Sequence, residues 1–369
     1  MRKPVISRAF EFISRRIDGP LMAALALTLA LGVTVVYSAS GGGSVERVLG
    51  QGRNLAVAFI ALWLFAHVPP QLLMRLALPV YVAGLTLLVS VALFGEIRNG
   101  ARRWLNLGFT TIQPSEIMKI GVPLMLAWWF HRREEGLRLL DFAMAVLILA
   151  LPVGLIARQP DLGTALLIFA SGFFVIFLAG LSWKIITSMV VAGGASLPFL
   201  WSMLHDYQRQ RVMTLLDPMQ DPLGAGYHII QSTIAIGSGG ILGKGWLNGT
   251  QAQLDFVPER STDFILAVFG EEFGLVGNIV LILLYLLIIG RGLMIAANAS
   301  TVFARLTAGA ITLTFFTYAF VNMGMVSGIL PVVGVPLPMI SYGGTALLSI
   351  LAGFGILMSI STHKQLVSS

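Results

Sequence analysis

The sequence predicts an all-α membrane protein that crosses the bilayer about ten times. Of its 369 residues, 56% are hydrophobic and only 11% are charged, whereas soluble globular proteins carry about 25% charged residues. The mean hydropathy is also strongly positive, at +0.85. These values exclude a soluble enzyme, a disordered protein, a collagen-like chain and a coiled coil. Because the chain has no cysteine, disulfides and thiolate metal sites are excluded as well.

Ten apolar runs approach the roughly 20 residues that a spanning helix needs. One run, 54–68, is short, and a polar turn at 158–161 interrupts the pair between 141 and 180, so nine spans are the alternative. All ten runs are predicted to belong to one membrane domain, residues 1–369. They fall near 20–38, 54–68, 72–94, 114–131, 141–157, 162–180, 183–203, 264–290, 302–328 and 340–361.

The charge distribution predicts that both termini are cytoplasmic. Residues 1–19 are basic and weakly amphipathic, which is typical of a cytoplasmic surface segment and not of a cleaved signal. With ten spans, nearly half of the basic residues then lie on the outer side, more than the positive-inside rule predicts. Either these outer cations bind a polyanion or they pair locally with carboxylates.

Two outer segments are unusual. The long loop 204–262, between helices 7 and 8, is too long to be a simple connection, and its apolar residues predict a structured loop with short helices folded onto the membrane surface. Residues 328–345 contain three prolines and several glycines, which predicts a broken or re-entrant segment. We expect these segments to bring polar groups to one end of the bundle.

Asp263 is the candidate general base, because it lies where the long loop enters the helix near 264–290. The alternative is a helix N-cap or first-turn carboxylate. A helix dipole would lower its pKa, so a strong base here requires a desolvating neighbour. Two turns deeper, Glu271 and Glu272 are either functional or paired with a cation such as Lys119.

Other polar residues on the outer side could bind an anionic substrate. Glu116 and Lys119 share a helix face, so they either form a simple ion pair or present Lys119 to a phosphate. Arg102 and Arg103 add two cations, and Trp104 is typical of an interfacial anchor. In the turn near 160, Arg158 and Asp161 either pair with each other or join the site.

No spacing of His, Asp and Glu predicts a dedicated metal site. Carboxylates together with a bound diphosphate could still recruit a divalent cation, Mg²⁺ or Mn²⁺. The sequence has no P-loop, no dinucleotide fingerprint and no Gly-x-Ser-x-Gly elbow.

Several long motifs lie along the chain. They are GARRWLNLG, IQPSEIMK, RQPDLGTAL, DYQRQRVMTLLDP, DPLGAGYHIIQS, GSGGILGKGWLNGTQAQLDFVPERSTDFILAVFGEEFGLVGN and GMVSGILPVVGVPLPMISYGGTA. These motifs resemble the SEDS (shape, elongation, division and sporulation) family, most closely its RodA branch from Gram-negative bacteria, and the resemblance spans nearly the whole chain. It implies a ten-helix peptidoglycan glycosyltransferase that polymerises lipid II at the outer face of the bacterial inner membrane during cell elongation.

The resemblance also assigns roles to residues. It implies that Asp263 is the essential loop aspartate and that Pro258, Glu259 and Arg260 form the PER motif, with Lys119 and Asp161 as further family positions. Ser261 and Thr111 depart from the residues common in the RodA branch. The predicted substrate-binding set is Arg102, Arg103, Trp104, Gln113, Glu116, Lys119, Asp161, Arg209, Arg211, Lys244, Glu259, Arg260, Ser341 and Tyr342, with Glu271 and Glu272 in support.

The mechanism that we predict is one inverting displacement of undecaprenyl diphosphate, with Asp263 as general base. Partners implied by the resemblance are lipid II, a class B penicillin-binding protein transpeptidase and other elongation-complex proteins, with no nucleic acid. The loop 204–262 is the expected mobile, partner-regulated element. The alternatives are a lipid II flippase or transporter, the division paralogue FtsW, and a docking scaffold. The PER motif favours RodA over FtsW.

Overall fold

The computed structural model of the chain describes residues 16–42, 45–98, 101–106, 111–204, 206–220, 225–254 and 256–363. Within these ranges the protein is mostly helical, and each predicted apolar run overlaps one long helix. Seven of the long helices, α1–α3, α5 and α11–α13, are long and apolar enough to cross a membrane. The long helices are α1 (Gly19–Ala39), α2 (Val45–His67), α3 (Pro70–Phe94), α4 (Pro114–His131), α5 (Leu139–Ala157), α6 (Leu162–Leu178), α7 (Trp183–Met203), α11 (Ile265–Ala297), α12 (Val302–Val326) and α13 (Thr345–Thr362).

Helix α2 begins at Val45, well before the predicted start at residue 54. Its first turns carry Arg47, Gln51 and Arg53, whose polarity hides them from a hydropathy pattern. Gln51 is nevertheless buried, at 1% exposure. Because that turn packs against protein and not against lipid, a polar residue is compatible with a helix there.

A small antiparallel sheet corrects the all-α prediction. Strands β1 (Glu96–Arg98), β2 (Ala101–Asn106) and β3 (Thr111–Ile112) pair in that order between α3 and α4. The sequence between β1 and β2 is Asn99-Gly100, the dipeptide most favoured in two-residue hairpin loops. The sheet presents the side chains of β2 at the end of the bundle where α4 begins.

The long loop contains short helices, as the sequence predicts. They are α8 (Asp206–Leu216), a 3₁₀ turn (Pro218–Gln220), α9 (Ala225–Ser238) and α10 (Thr250–Gln253). Helix α9 packs against α11 and α12. The hydroxyl of Ser232 on α9 donates to the carbonyl of Val326 at the end of α12, at 2.9 Å. The loop is therefore fastened to the same helix ends that carry the candidate site.

Helix α11 is interrupted at Gly274, whose φ of 62° and ψ of −158° are not helical. Residues 240–245 fill the break: the amide of Lys244 donates to the carbonyl of Glu271, and the amide of Leu275 donates to the carbonyl of Gly240, both at 3.0 Å. A Cβ at position 274 would lie 2.3 Å from the amide nitrogen of Gly243. Only glycine allows the loop residues 240–245 to approach the backbone at position 274 this closely. The element packed against Gly274 is therefore the loop and not a second helix.

The segment 327–344 has no regular structure and enters the bundle, in agreement with the predicted broken segment. The hydroxyl of Tyr285 donates to the carbonyl of Pro338 at 2.6 Å, and Nδ2 of Asn322 donates to the carbonyl of Val335 at 2.7 Å. A Cβ on Gly32, within α1, would lie 2.2 Å from the carbonyl oxygen of Met339. Protein groups thus satisfy the irregular backbone, as membrane depth requires.

Candidate functional site

Asp263 is held between the end of α12 and the segment 327–344. Its carbonyl accepts a hydrogen bond from Nδ2 of Asn322 at 2.8 Å. Just before it, the carbonyl of Thr262 accepts from the hydroxyl of Ser341 at 2.6 Å. The amide of Tyr342 donates to the carbonyl of Ser261 at 2.8 Å. The backbone on both sides of the carboxylate is therefore fixed, which positions its side chain.

The carboxylate of Asp263 is not a helix cap. The N-cap of α11 is Phe264, and no side chain caps that helix. The Asp263 carboxylate accepts no hydrogen bond from the described residues. Gly334 lies close to it, since a Cβ added there would be 3.4 Å from Oδ2. Burial, with a smaller contribution from the negative charge of Glu259, raises the pKa of Asp263 to about 6. Desolvation is the larger of these two causes.

Lys119 and Glu116 form a buried ion pair at the start of α4. Lys119 Nζ lies 2.7 Å from Glu116 Oε1, and the two side chains are 8% and 15% exposed. The other carboxylate oxygen of Glu116 accepts from the hydroxyl of Ser349 on α13 at 2.8 Å. Lys119 also lies over the ring of Tyr318, 5.3 Å from its centroid. The simpler of the two predicted roles, an intrahelical pair, is the one that the structure contains.

Asp161 caps α6 and gathers side chains from other elements. Its Oδ1 accepts from the amide of Thr164 at 3.2 Å, while Oδ2 lies 3.4 Å from Nε2 of Gln113 and 3.7 Å from Nε of Arg103. Among the described residues its ionic partner is Arg103 from β2, and not Arg158 from its own turn as the local-pair alternative proposed. The strand thus supplies a cation to the helix mouth.

The segment 327–344 links these groups. Gly163 lies two residues after Asp161, and a Cβ there would be 2.7 Å from the carbonyl oxygen of Val333. Gly334, which follows Val333, faces Asp263. On α12, Tyr318 meets Lys119 and Asn322, one turn further, holds the backbone of Asp263. The mouths of α4, α6, α11 and α12 therefore meet at one end of the bundle.

Glu271 and Glu272 lie outside this cluster and bind the long loop. Glu271 Oε1 accepts from Lys244 Nζ at 2.7 Å and from the amide of Gln251 at 3.0 Å. Glu272 accepts from the hydroxyl of Ser38 on α1. The prediction that a cation such as Lys119 pairs with these glutamates is therefore wrong as to the residue. The cation that pairs with Glu271 is Lys244.

The other predicted residues occupy peripheral positions. Arg102 is exposed on β2 and Trp104 is half-buried there. The side chain of Arg209 bonds the carbonyls of Trp201 and Ser202 at the end of α7. The side chain of Arg211 lies outside the described part of the structure. Within the PER motif, Glu259 accepts from the hydroxyl of Thr262 at 2.8 Å, and Arg260 donates to the carbonyl of Ala252.

An apolar groove of about 590 Å³ begins beside this cluster and runs along the bundle. At its polar end lie Gln113, Glu116 and Ser349, together with Thr111, one of the two departures from the family pattern. The rest of the wall is almost entirely apolar and comes from α2, α3, α4 and α13: Ala61, Phe65, Leu73, Leu76, Val80, Ile117, Ile120, Leu124, Leu348 and Ala352.

Sequence reasoning missed Ser349, Asn322 and His228. Ser349 and Asn322 are isolated polar residues in apolar helices, and such isolation in a span is a usable signal. His228 belongs to α9, and its ring centroid lies 5.5 Å from that of Phe264, next to Asp263. Burial lowers the pKa of His228 although Glu259 opposes this shift. Nothing in its local sequence indicates that α9 returns to the site.

The described residues contain no group of three or more His, Asp or Glu side chains that could hold a metal ion.

Comparisons with known proteins place this geometry in a family. A family model described as a cell cycle protein family, FtsW/RodA/SpoVE, matches residues 20–366. The peptidoglycan glycosyltransferase MrdB of Escherichia coli (strain K12) is 53% identical over 355 residues, covering 95% of each chain. The probable peptidoglycan glycosyltransferase FtsW of Geobacter metallireducens is 36% identical over 358 residues, covering 94% of each chain.

Solved structures agree in fold. A chain of a peptidoglycan synthase complex, studied for its coordination of polymerization and crosslinking, superposes with a TM-score of 0.81 and 35% identity, covering 94% of this chain and 99% of that one. The rod shape determining protein RodA of Thermus thermophilus gives a TM-score of 0.72 at 30% identity, covering 94% and 98%. With its apolar helices, the protein is thus a multi-pass membrane protein, and the chain belongs to the FtsW/RodA/SpoVE family.

Proposed function

We propose that this chain is a peptidoglycan glycosyltransferase that polymerises lipid II during cell elongation. Both relatives described above carry the glycosyltransferase name, and MrdB is far more similar to this chain than the FtsW relative, at 53% against 36% identity. The elongation role therefore has more support than the division role. The observation that carries the chemistry is Asp263, a fixed carboxylate with a raised pKa and no donor from the described residues.

The reaction assigned to Asp263 is general base catalysis of one displacement. Its carboxylate accepts the proton of the acceptor sugar hydroxyl as the hydroxyl oxygen attacks C1 of the donor. The bond between C1 and the diphosphate oxygen breaks, and undecaprenyl diphosphate leaves with the electron pair. One displacement inverts the anomeric centre, so no second carboxylate is needed as a nucleophile. General base catalysis of this kind is typically worth 10²–10⁴-fold.

The base strength of Asp263 suits this role. With a pKa of about 6, most of the carboxylate is ionised at pH 7 and still binds a proton more strongly than an ordinary aspartate does. Its neighbour Glu259 contributes to this value through its negative charge. The same charge would oppose a diphosphate placed close to it, so we place the donor diphosphate away from Glu259, towards the cations of β2.

Charge stabilisation of the leaving diphosphate is assigned to β2. Lys119 is neutralised by Glu116, and Arg103 is shared with Asp161. Arg102 is exposed on the same strand and has no carboxylate partner in the described part of the chain. We therefore assign direct diphosphate binding to Arg102 and Arg103, and the orientation of the groove mouth to the Lys119–Glu116 pair.

The apolar groove fits a polyprenyl chain. Its wall is apolar over α2, α3, α4 and α13, and its polar end reaches Gln113 and Glu116, the residues beside the Asp161 and Lys119 pairs. A lipid lying in it would keep its tail in the bilayer with its diphosphate at the helix mouths. The ten long helices support ten spans, and the basic residues before α1 support cytoplasmic termini and, with them, an outward-facing site.

The partner proposed for this enzyme is a class B penicillin-binding protein. The structural relative at TM-score 0.81 comes from a complex in which polymerization and crosslinking are coordinated. A polymerase that joins sugars requires a transpeptidase to crosslink the peptides, so the same pairing suits this chain.

The decisive variant is Asp263→Asn in the full-length protein, assayed with its transpeptidase partner and labelled lipid II. Because Asn cannot accept the proton, we expect polymerisation to fall at least 100-fold, while lipid II binding and the melting temperature are kept. A matched control is Asp217→Asn, an exposed carboxylate in the long loop, which should polymerise normally. Near-normal polymer from Asp263→Asn would remove Asp263 from the mechanism. Translocation of lipid II without polymer by the unmodified protein would support a flippase instead.

A further inference from the structure

A second groove lies at the end of the bundle opposite the candidate site. Helix α4 begins beside the site and ends at His131, and α3 runs in the reverse direction from Pro70. Between the start of α3 and the end of α4 is a cavity of about 690 Å³. No residue of this cavity takes part in the glycosyltransferase chemistry described above, so the groove needs a separate explanation.

The lining of this groove is positive at its mouth. Arg75 and Arg132 both line it, and neither has a carboxylate partner in the described part of the chain. Arg132 lies over the ring of Trp128, 4.6 Å from its centroid. The carboxylate that also lines the groove, Glu134, is engaged by Nδ1 of His131 at 3.1 Å. The groove therefore offers two guanidinium groups with donors to spare.

The other wall of the groove is apolar and faces outward. Met74, Leu78, Pro79 and the ring of Trp128 form it, and Leu78 remains 43% exposed. Since α3 is long and apolar enough to span a membrane, its exposed side chains in this wall are suited to contact with acyl chains. An arginine pair at the rim and an apolar channel beneath it match a ligand with an anionic head and a hydrocarbon tail.

We propose that this groove binds one anionic diacyl phospholipid, with its phosphate between Arg75 and Arg132 and its acyl chains along Leu78 and Trp128. Arginine suits this role because its planar group binds phosphate in a bidentate manner. Basic pockets between membrane helices on the cytoplasmic side are a recognised place for anionic headgroups. The bound lipid would fasten α3 to α4, the two helices that also form the substrate groove.

The test is native mass spectrometry of the full-length protein in neutral detergent, titrated with dioleoyl phosphatidylglycerol or dioleoyl phosphatidylcholine. We expect one phosphatidylglycerol to bind tightly and phosphatidylcholine to bind weakly. The double variant Arg75→Gln/Arg132→Gln should bind phosphatidylglycerol about 30-fold more weakly, because each basic side chain near an anionic headgroup contributes roughly 1 kcal/mol. The single variant Arg75→Gln, with an expected loss of about fivefold, serves if the double variant does not fold.

A charge-matched control separates this site from general surface charge. Lys184→Gln/Arg305→Gln removes two exposed cations from the same end of the bundle and should leave the affinity unchanged. Equal losses in the two double variants would overturn the proposal. So would binding of soluble glycerol phosphate as tight as that of the full lipid, which would indicate an anion site without a lipid. Lipid binding only after residues 364–369 are removed would identify the chain's own C-terminal segment as the occupant.

Discussion

Asp263 and Glu271 are eight residues apart in the chain, but their surroundings are opposite. Glu271 is fully buried and accepts hydrogen bonds from Lys244 Nζ at 2.7 Å, from the hydroxyl of Thr250 at 3.1 Å and from the amide of Gln251 at 3.0 Å. Asp263 is only half-buried, yet its carboxylate accepts no hydrogen bond from the described residues. The more deeply buried carboxylate is therefore the better satisfied one.

The supply of hydrogen-bond donors, and not the depth of burial, separates Glu271, a structural carboxylate, from Asp263, the proposed general base. A buried carboxylate with a full set of donors, one of them charged, is stable where it lies. It cannot take a proton from a substrate without losing those bonds. Asp263 keeps its affinity for a proton because no described residue donates a hydrogen bond to its carboxylate oxygens. Burial also raises its pKa to about 6.

The largest effect that we expect is on stability, from Glu271→Leu. This change leaves the side chain of Lys244, which is 28% exposed, and the amide of Gln251 without their acceptor. Each donor that stays buried without a partner costs about 1–3 kcal/mol. The melting temperature in detergent measures it. Adding Lys244→Met should restore much of the loss, because a buried pair can be replaced by apolar groups at little cost. If Glu271→Leu melts like the unmodified protein, the donors around it do not stabilise the loop.

Asp263→Asn should behave in the opposite way in the same melting experiment. In the folded protein this carboxyl has a pKa of about 6, above the ordinary value of 3.8. Its ionisation therefore opposes folding increasingly as pH rises from 3.8 to 6, and the cost is complete above pH 6. The neutral amide avoids this cost, so at pH 7 the variant should be at least as stable as the unmodified protein. A clear loss of stability would contradict the comparison.

A smaller effect is expected at Gly334, which faces Asp263. Its φ is +71°, and a Cβ there would lie 3.4 Å from Oδ2 of Asp263. Gly334→Ala should therefore strain the backbone by about 1–2 kcal/mol and lower kcat about tenfold through a small displacement of the base. Gly136→Ala is the control, because a Cβ there meets nothing within 4 Å. Equal kcat values for the two variants would show that the segment does not position Asp263.

The sequence predicts the helices better than their contacts. Apolar runs locate the ten long helices because helices buried in lipid or protein need apolar side chains. The runs miss helix turns whose polar residues pack against protein, as at Gln51 in α2. The pairs Arg103–Asp161 and Lys244–Glu271 join residues far apart in the chain. The second depends on the break at Gly274, which admits residues 240–245 and which hydropathy does not reveal.

Its position at the junction of loop and helix singled out Asp263, and the family resemblance agreed, but local sequence could not reveal why this aspartate differs from its neighbours. The segment 327–344 and the end of α12, which hold the backbone around it, lie about 60 residues or more further along the chain. The sheet that delivers Arg103 was also missed, although Asn99-Gly100 is a recognisable hairpin signal.

Whether Asp263 is the general base is best measured by the pH dependence of kcat/KM for lipid II polymerisation. Because protonated Asp263 cannot accept a proton, activity should fall about tenfold for each pH unit below 6 and level off above 7. Glu259→Gln removes a negative charge that raises the pKa of Asp263, so its acid limb should move to lower pH. An activity that is constant between pH 5 and 8, or an acid limb that Glu259→Gln moves to higher pH, would contradict Asp263 as the general base.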